Sequence, residues 1–74
     1  MGTLVRRLLD GDHVLAEWSP EDHDSYDAAV EVFEYELDAG YTAVRSDGET
    51  REPVTSLPRD AQLVILTSAM GGGP

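Results

Sequence analysis

Apolar and polar positions along this chain change period several times, and each change marks an element. From Thr3 to Leu9, Leu4, Val5, Leu8 and Leu9 flank an Arg6–Arg7 pair in a strand-like run. Asp10-Gly11 follows, and an Asp-Gly step between extended runs is a hairpin signal because glycine tolerates positive φ. His13 to Trp18 then alternates strictly, with Val14, Ala16 and Trp18 on one side and His13, Leu15 and Glu17 on the other. The pattern predicts a β-hairpin over residues 3–18.

The period then lengthens. Tyr26, Ala29, Val30, Phe33 and Leu37 line one side of a helix. Ser19-Pro20-Glu21-Asp22 reads as its start, with Ser19 as cap, Pro20 at the first helical position and Asp22 as the capping-box acid. Gly40 is the expected stop, giving a helix of about 20 residues and about 30 Å. Tyr41–Arg45 is a short strand, Ser46-Asp47-Gly48 a turn, and Glu49–Glu52 a returning strand that Pro53 assigns to a sheet edge. Leu57-Pro58-Arg59-Asp60 turns again before Leu63-Val-Ile-Leu66, an apolar run suited to a central strand. Gly71-Gly72-Gly73-Pro74 reads as a tail.

The predicted order is β-β-α-β-(β)-β, with one helix across one side of a mixed sheet. This is an α+β fold of β-grasp-like architecture, formed by a single domain over residues 1–70 with a glycine-rich tail at 71–74.

Composition narrows the function. The 74 residues carry 15 acids against 5 arginines, without lysine or cysteine, for a formal charge of −10. A domain this small buries only about 60% of its unfolded surface, and it lacks the cysteines that staple small secreted scaffolds. That combination points to a reducing interior or a larger assembly, with a cytoplasmic or virion location expected. The charge opposes binding to nucleic acid or to anionic membranes. No run approaches 18 apolar residues, and no signal-peptide core opens the chain.

The charge is unevenly placed. Residues 1–40 hold 11 acids and 2 arginines, while residues 41–74 hold 4 acids and 3 arginines. Asp27, Glu31, Glu34 and Asp38 recur at helical spacing as one stripe beside the core side. The late acids Glu34, Glu36 and Asp38 oppose the helix dipole, and like-charged neighbours at this spacing cost about 0.2–0.5 kcal/mol per pair. Such a stripe is either a solvated face that aids solubility or one whose repulsion a basic protein partner relieves. Ala28, Val32, Tyr35 and Ala39 form a minor apolar stripe beside it. The residues expected to meet a partner are therefore Asp27, Glu31, Val32, Glu34, Tyr35 and Asp38.

Catalysis finds little support. His13 and His23 sit among acids, but neither segment has metal-ligand spacing, and a domain this size has little room for a pocket. Neither an enzyme nor a metal or other cofactor is expected. The reading is a non-enzymatic acidic interaction module, an accessory or structural subunit of a hetero-oligomeric assembly.

Two resemblances add to this. Leu63-Val-Ile-Leu-Thr-Ser-Ala-Met-Gly71-Gly72 resembles the C-terminus of ubiquitin-like sulfur carriers, whose slim glycine tail threads into an activating enzyme that adenylates the terminal carboxylate. That resemblance implies Gly71, Gly72 and Gly73 as the tail positions and requires removal of Pro74, since the family ends in Gly-Gly. The helix ending in Gly40-Tyr-Thr-Ala-Val-Arg45, with Asp60-Ala61, the apolar strand and the glycines, also resembles short uncharacterised proteins of actinobacteria and their phages. It implies no chemistry, but it makes a phage capsid a specific setting for the accessory role.

Overall fold

The computed structural model describes residues 1–8 and 11–68. The order is β1 (Gly2–Leu8), β2 (Gly11–Trp18), α1 (His23–Asp38), β3 (Tyr41–Asp47), β4 (Thr50–Val54) and β5 (Leu63–Ser68). The five strands form one mixed sheet in the order β2-β1-β5-β3-β4. β5 runs parallel to β1 and antiparallel to β3, and the two hairpins β1–β2 and β3–β4 lie on either side of it. The architecture is α+β and β-grasp-like, with one helix on one side of the sheet. Leu9 and Asp10, the latter the first residue of the expected Asp10-Gly11 turn, and the tail positions Gly71, Gly72 and Gly73 lie outside the described residues.

The core lies between helix and sheet. Leu4, Trp18, Ala43, Val64 and Leu66 from the strands meet Ala29 and Phe33 from the helix, and Leu57 and Ala61 close one end. The apolar run at 63–66 is the central strand, as its continuity predicts. Trp18 fills the space above Gly2, where any Cβ would overlap its indole ring. Its Nε1 donates to the carbonyl of Arg59 at 3.0 Å, which satisfies the one polar atom this large side chain buries.

Several element ends differ from the sequence expectation. α1 begins four residues later than Ser19, and its cap is Asp22, whose Oδ1 accepts from the backbone N–H groups of Asp24 and Ser25. Ser19 belongs to a preceding turn in which its carbonyl accepts from the Asp22 N–H at 3.0 Å. An aspartate at this position also places negative charge at the positive end of the helix dipole. The helix therefore has 16 residues rather than about 20. β3 runs on through Ser46 to Asp47, and the turn narrows to Gly48-Glu49, with Gly48 at φ 62°. β4 includes Pro53, whose missing N–H is tolerated because β4 is an edge strand.

The β1–β2 pairing shifts register between Leu4 and Val5. Leu4 faces Ala16, Val5 faces Val14, and Leu15 is the extra residue of a bulge. The strict alternation of residues 13–18 is thereby broken: Val14 leaves the side of Ala16 and Trp18, and Leu15 packs against the core instead.

Candidate functional site

Ala29, Phe33 and Glu36 point α1 at the sheet and fix which side of the helix remains outside. Asp27, Glu31, Glu34 and Asp38 all fall on that outer side and are exposed, together with Asp24 one turn before. The stripe expected beside the core side thus lies directly away from the sheet instead, because Ala29, Phe33 and Glu36 centre the buried side. Among the described residues the ion pairs are Arg6–Glu36, Arg7–Asp12, Arg45–Asp47 and Arg45–Asp60. None involves an acid of the outer stripe.

Arg45 and Arg59 are engaged elsewhere. Arg45 bridges Asp47 at 2.6 Å and Asp60 at 3.3 Å; its pKa is raised above the ordinary value chiefly by the hydrogen bond to Asp47. Arg59 stacks on the Tyr26 ring at 5.0 Å, donates to the Pro20 carbonyl at 3.0 Å and lies 2.9 Å from His23 Nδ1. The outer side of α1 is therefore a run of carboxylates without an internal counter-charge among the described residues.

The apolar seam beside this run is narrower than the sequence spacing implies. Tyr35 is 72% exposed, and Ala28 and Ala39 are also exposed. Val32 is half-buried and packs against the core, so only part of it is open to a partner. Its position on the wheel lies next to Ser25 and Glu36 at the margin of the buried side, which periodicity alone does not separate from the exposed seam.

One charged residue of the helix does not belong to the stripe. Glu36 is 4% exposed and pairs with Arg6 Nη2 at 2.8 Å, while the same guanidinium sits 5.1 Å from the centre of the Tyr41 ring. A signal for this existed in the sequence. Glu36 follows Phe33 by three residues and Ala29 by seven, on the core side, and Arg6 shares the strand side of Leu4.

His13 is exposed on β2 opposite Arg6, and His23 opens α1. Among the described residues no three histidines or acids gather in a way that holds a metal ion. No described helix is long and apolar enough to cross a membrane. The chain matches no family model, no curated protein and no solved structure.

Proposed function

We propose that this domain acts by binding, presenting the outer side of α1 to a protein partner with a basic surface as an accessory subunit of a larger assembly. The observation that carries the reading is the exposed set Asp27, Glu31, Glu34 and Asp38, which has no arginine partner among the described residues and is flanked by an exposed tyrosine. Mutual repulsion along the stripe costs stability in the free chain, and lysines or arginines of a partner reverse its sign on docking. Tyr35 supplies the aromatic contact that such interfaces favour, at little entropic cost. A virion is one assembly of this kind, and the resemblance to phage proteins is what favours it.

The test is charge reversal of Glu31 and Glu34 to lysine, read by co-purification of the native assembly and by circular dichroism. The expected result is loss of association with an unchanged fold. A double variant that still associates like wild type overturns the reading.

A second reading rests on the position of β5. It lies between β1 and β3 at the centre of the sheet and leads toward Gly71, Gly72 and Gly73, the arrangement that a glycine-tailed carrier of the ubiquitin-like kind uses. Intact-mass measurement of the protein from its native host separates the two. A form ending at a tail glycine, carrying a thiocarboxylate or an adduct, supports the carrier; an unprocessed mass supports the binding module.

A further inference from the structure

Arg59 ties the loop between β4 and β5 to the entry of α1. Its guanidinium lies over the Tyr26 ring at 5.0 Å, its Nε donates to the Pro20 carbonyl at 3.0 Å, and its Nη2 lies 2.9 Å from His23 Nδ1. Its own carbonyl accepts from Trp18 Nε1 at 3.0 Å. Two residues earlier the Leu57 carbonyl accepts from the Tyr26 hydroxyl, and the Leu57 and Ala61 side chains are buried in the core. The loop therefore covers one end of the core, and Arg59 fastens it to the turn before the helix and to the first turn of the helix itself.

One of these contacts depends on protonation. Arginine has donors only, and its guanidinium keeps its charge. An Nη2 at 2.9 Å from a ring nitrogen is a hydrogen bond only when that nitrogen accepts, so the ring is neutral with its proton on Nε2. A protonated ring carries donors on both nitrogens and sets cation against cation at the same distance.

The charged groups around the ring do not substitute for Nδ1. Glu21 and Asp22 come from the preceding turn, Asp24 and Asp27 from the helix, and Arg59 and Asp60 from the loop. Asp60 is 3.3 Å from Arg45, and Asp22 Oδ1 accepts from the Asp24 and Ser25 amides. Glu21, Asp24 and Asp27 are exposed and give a protonated ring acceptors on its own side of the contact. Protonation thus removes the acceptor that Arg59 uses and draws the ring away from the loop.

We infer that His23 and Arg59 form a pH-sensitive latch, in which the neutral His23 ring holds the loop over residues 55–62 against the helix entry and protonation releases it. The contact belongs to the neutral ring. Its contribution is complete at high pH and is lost as the ring takes a proton, within the range of about pH 5 to 8 where histidine ordinarily changes charge. The Pro20 carbonyl and the Tyr26 ring do not titrate in that range, so the loop is loosened rather than detached.

Trp18 is the single tryptophan, and its indole N–H, bonded to the Arg59 carbonyl, reports on the loop. Its hydrogen exchange, followed by NMR at about pH 7.5 and about pH 5.5 in wild type and His23→Asn, tests the latch. Asparagine supplies a carbonyl oxygen that accepts at both pH values. Intrinsic exchange changes equally with pH in the two proteins and cancels in their ratio. Wild type is expected to match His23→Asn at the higher pH and to exchange about threefold faster at the lower. The Leu4 and Val64 amides, which report on the whole fold, are expected to show no such change. On an Arg59→Met background the two proteins are expected to exchange alike at both pH values, and His13→Asn to follow wild type. The nitrogen shifts of the His23 ring at the higher pH are expected to show the proton on Nε2. A ratio that stays flat with pH, a proton on Nδ1, or a difference that survives Arg59→Met overturns the inference. Equal acceleration at Leu4 and Val64 overturns it as well, because the effect then belongs to the fold as a whole.

Discussion

The Arg6 guanidinium donates through Nε and Nη2 to one carboxylate oxygen of Glu36, at 3.1 and 2.8 Å. It is the ion pair that joins helix to sheet among the described residues. The two differ in exposure, the Arg6 side chain being 29% accessible and that of Glu36 6%. Tyr41 shields one side of the guanidinium and Phe33 precedes Glu36 by one turn, so the pair replaces an apolar contact at that end of the core.

Breaking this pair from one side is expected to be costly, and removing both charges is not. Glu36→Ala leaves a partly desolvated guanidinium without its acceptor and is expected to lower unfolding free energy by about 2–3 kcal/mol. The double change Arg6→Met with Glu36→Leu keeps the volume and is expected to cost less than about 1 kcal/mol. Urea denaturation of the three variants checks both values. A Glu36→Ala variant as stable as wild type shows that water replaces the carboxylate at no loss.

Cap position gives a second prediction. Asp22 Oδ1 accepts from two backbone N–H groups at 3.1 and 3.4 Å, whereas the Ser19 hydroxyl accepts from Glu21 N–H at 3.4 Å, outside the helix. Asp22→Ala is expected to cost about 1 kcal/mol and Ser19→Ala only a few tenths. Thermal unfolding of the two single variants ranks them, and the reverse order places the cap at Ser19.

Why the cap escaped the sequence pattern, while the helix itself did not, is a matter of what each depends on. The apolar spacing of Ala29, Phe33 and Leu37 is local and survives folding unchanged, as does the run at Leu63–Leu66. Ser19 and Asp22 are both good caps, and the choice between them is made by tertiary contacts. Trp18 and Tyr26 anchor the loop around Leu57 and Arg59 over the helix entry. The bulge at Leu15 is likewise set by pairing with β1, which alternation within β2 does not register. The exposure of the acidic stripe was legible because it follows from the wheel; the wheel also puts Glu36 on the core side, but its counter-charge Arg6 comes from a strand 30 residues away that the helix spacing does not register.

The same loop supplies a third prediction. Tyr26 donates its hydroxyl to the Leu57 carbonyl at 2.5 Å, and Arg59 lies over its ring. Tyr26→Phe removes the hydrogen bond while keeping the ring, leaving a carbonyl short of a donor. It is expected to cost about 1 kcal/mol and to speed amide exchange over residues 57–62 more than in β1 or β5. Uniform acceleration across the chain instead identifies the loss as global and the loop as no separate unit.

Gly2 yields a fourth, because its neighbour leaves no space. Gly2→Ala drives a methyl into the Trp18 indole, which is itself pinned by Arg59 and cannot turn away without losing that bond. The expected cost is about 1–3 kcal/mol, with a change in Trp18 fluorescence as the ring shifts. Gly2→Ala combined with Trp18→Phe is expected to recover part of the loss relative to Trp18→Phe alone, since the smaller ring admits the methyl. If the two changes are additive, the clash is relieved by the end of β1 moving rather than by the ring.

The outer acids carry the last prediction, which separates a binding face from a merely soluble one. Each like-charged pair along Asp27, Glu31, Glu34 and Asp38 opposes the fold by about 0.2–0.5 kcal/mol at low salt, and nothing among the described residues offsets it. Glu31→Gln with Glu34→Gln is therefore expected to raise stability by about 0.5–1 kcal/mol, and added salt to stabilise wild type more than this variant. A solvated face predicts that gain alone. A docking face predicts the gain in the free chain together with weaker association with the basic partner, steepest at low salt, where the lost attraction is greatest. Thermal unfolding and partner binding measured across a salt series on the same two proteins read both effects. Stability and affinity moving in opposite directions mark the helix side as the interface, because only a surface held in repulsion for another protein loses its function as it gains stability.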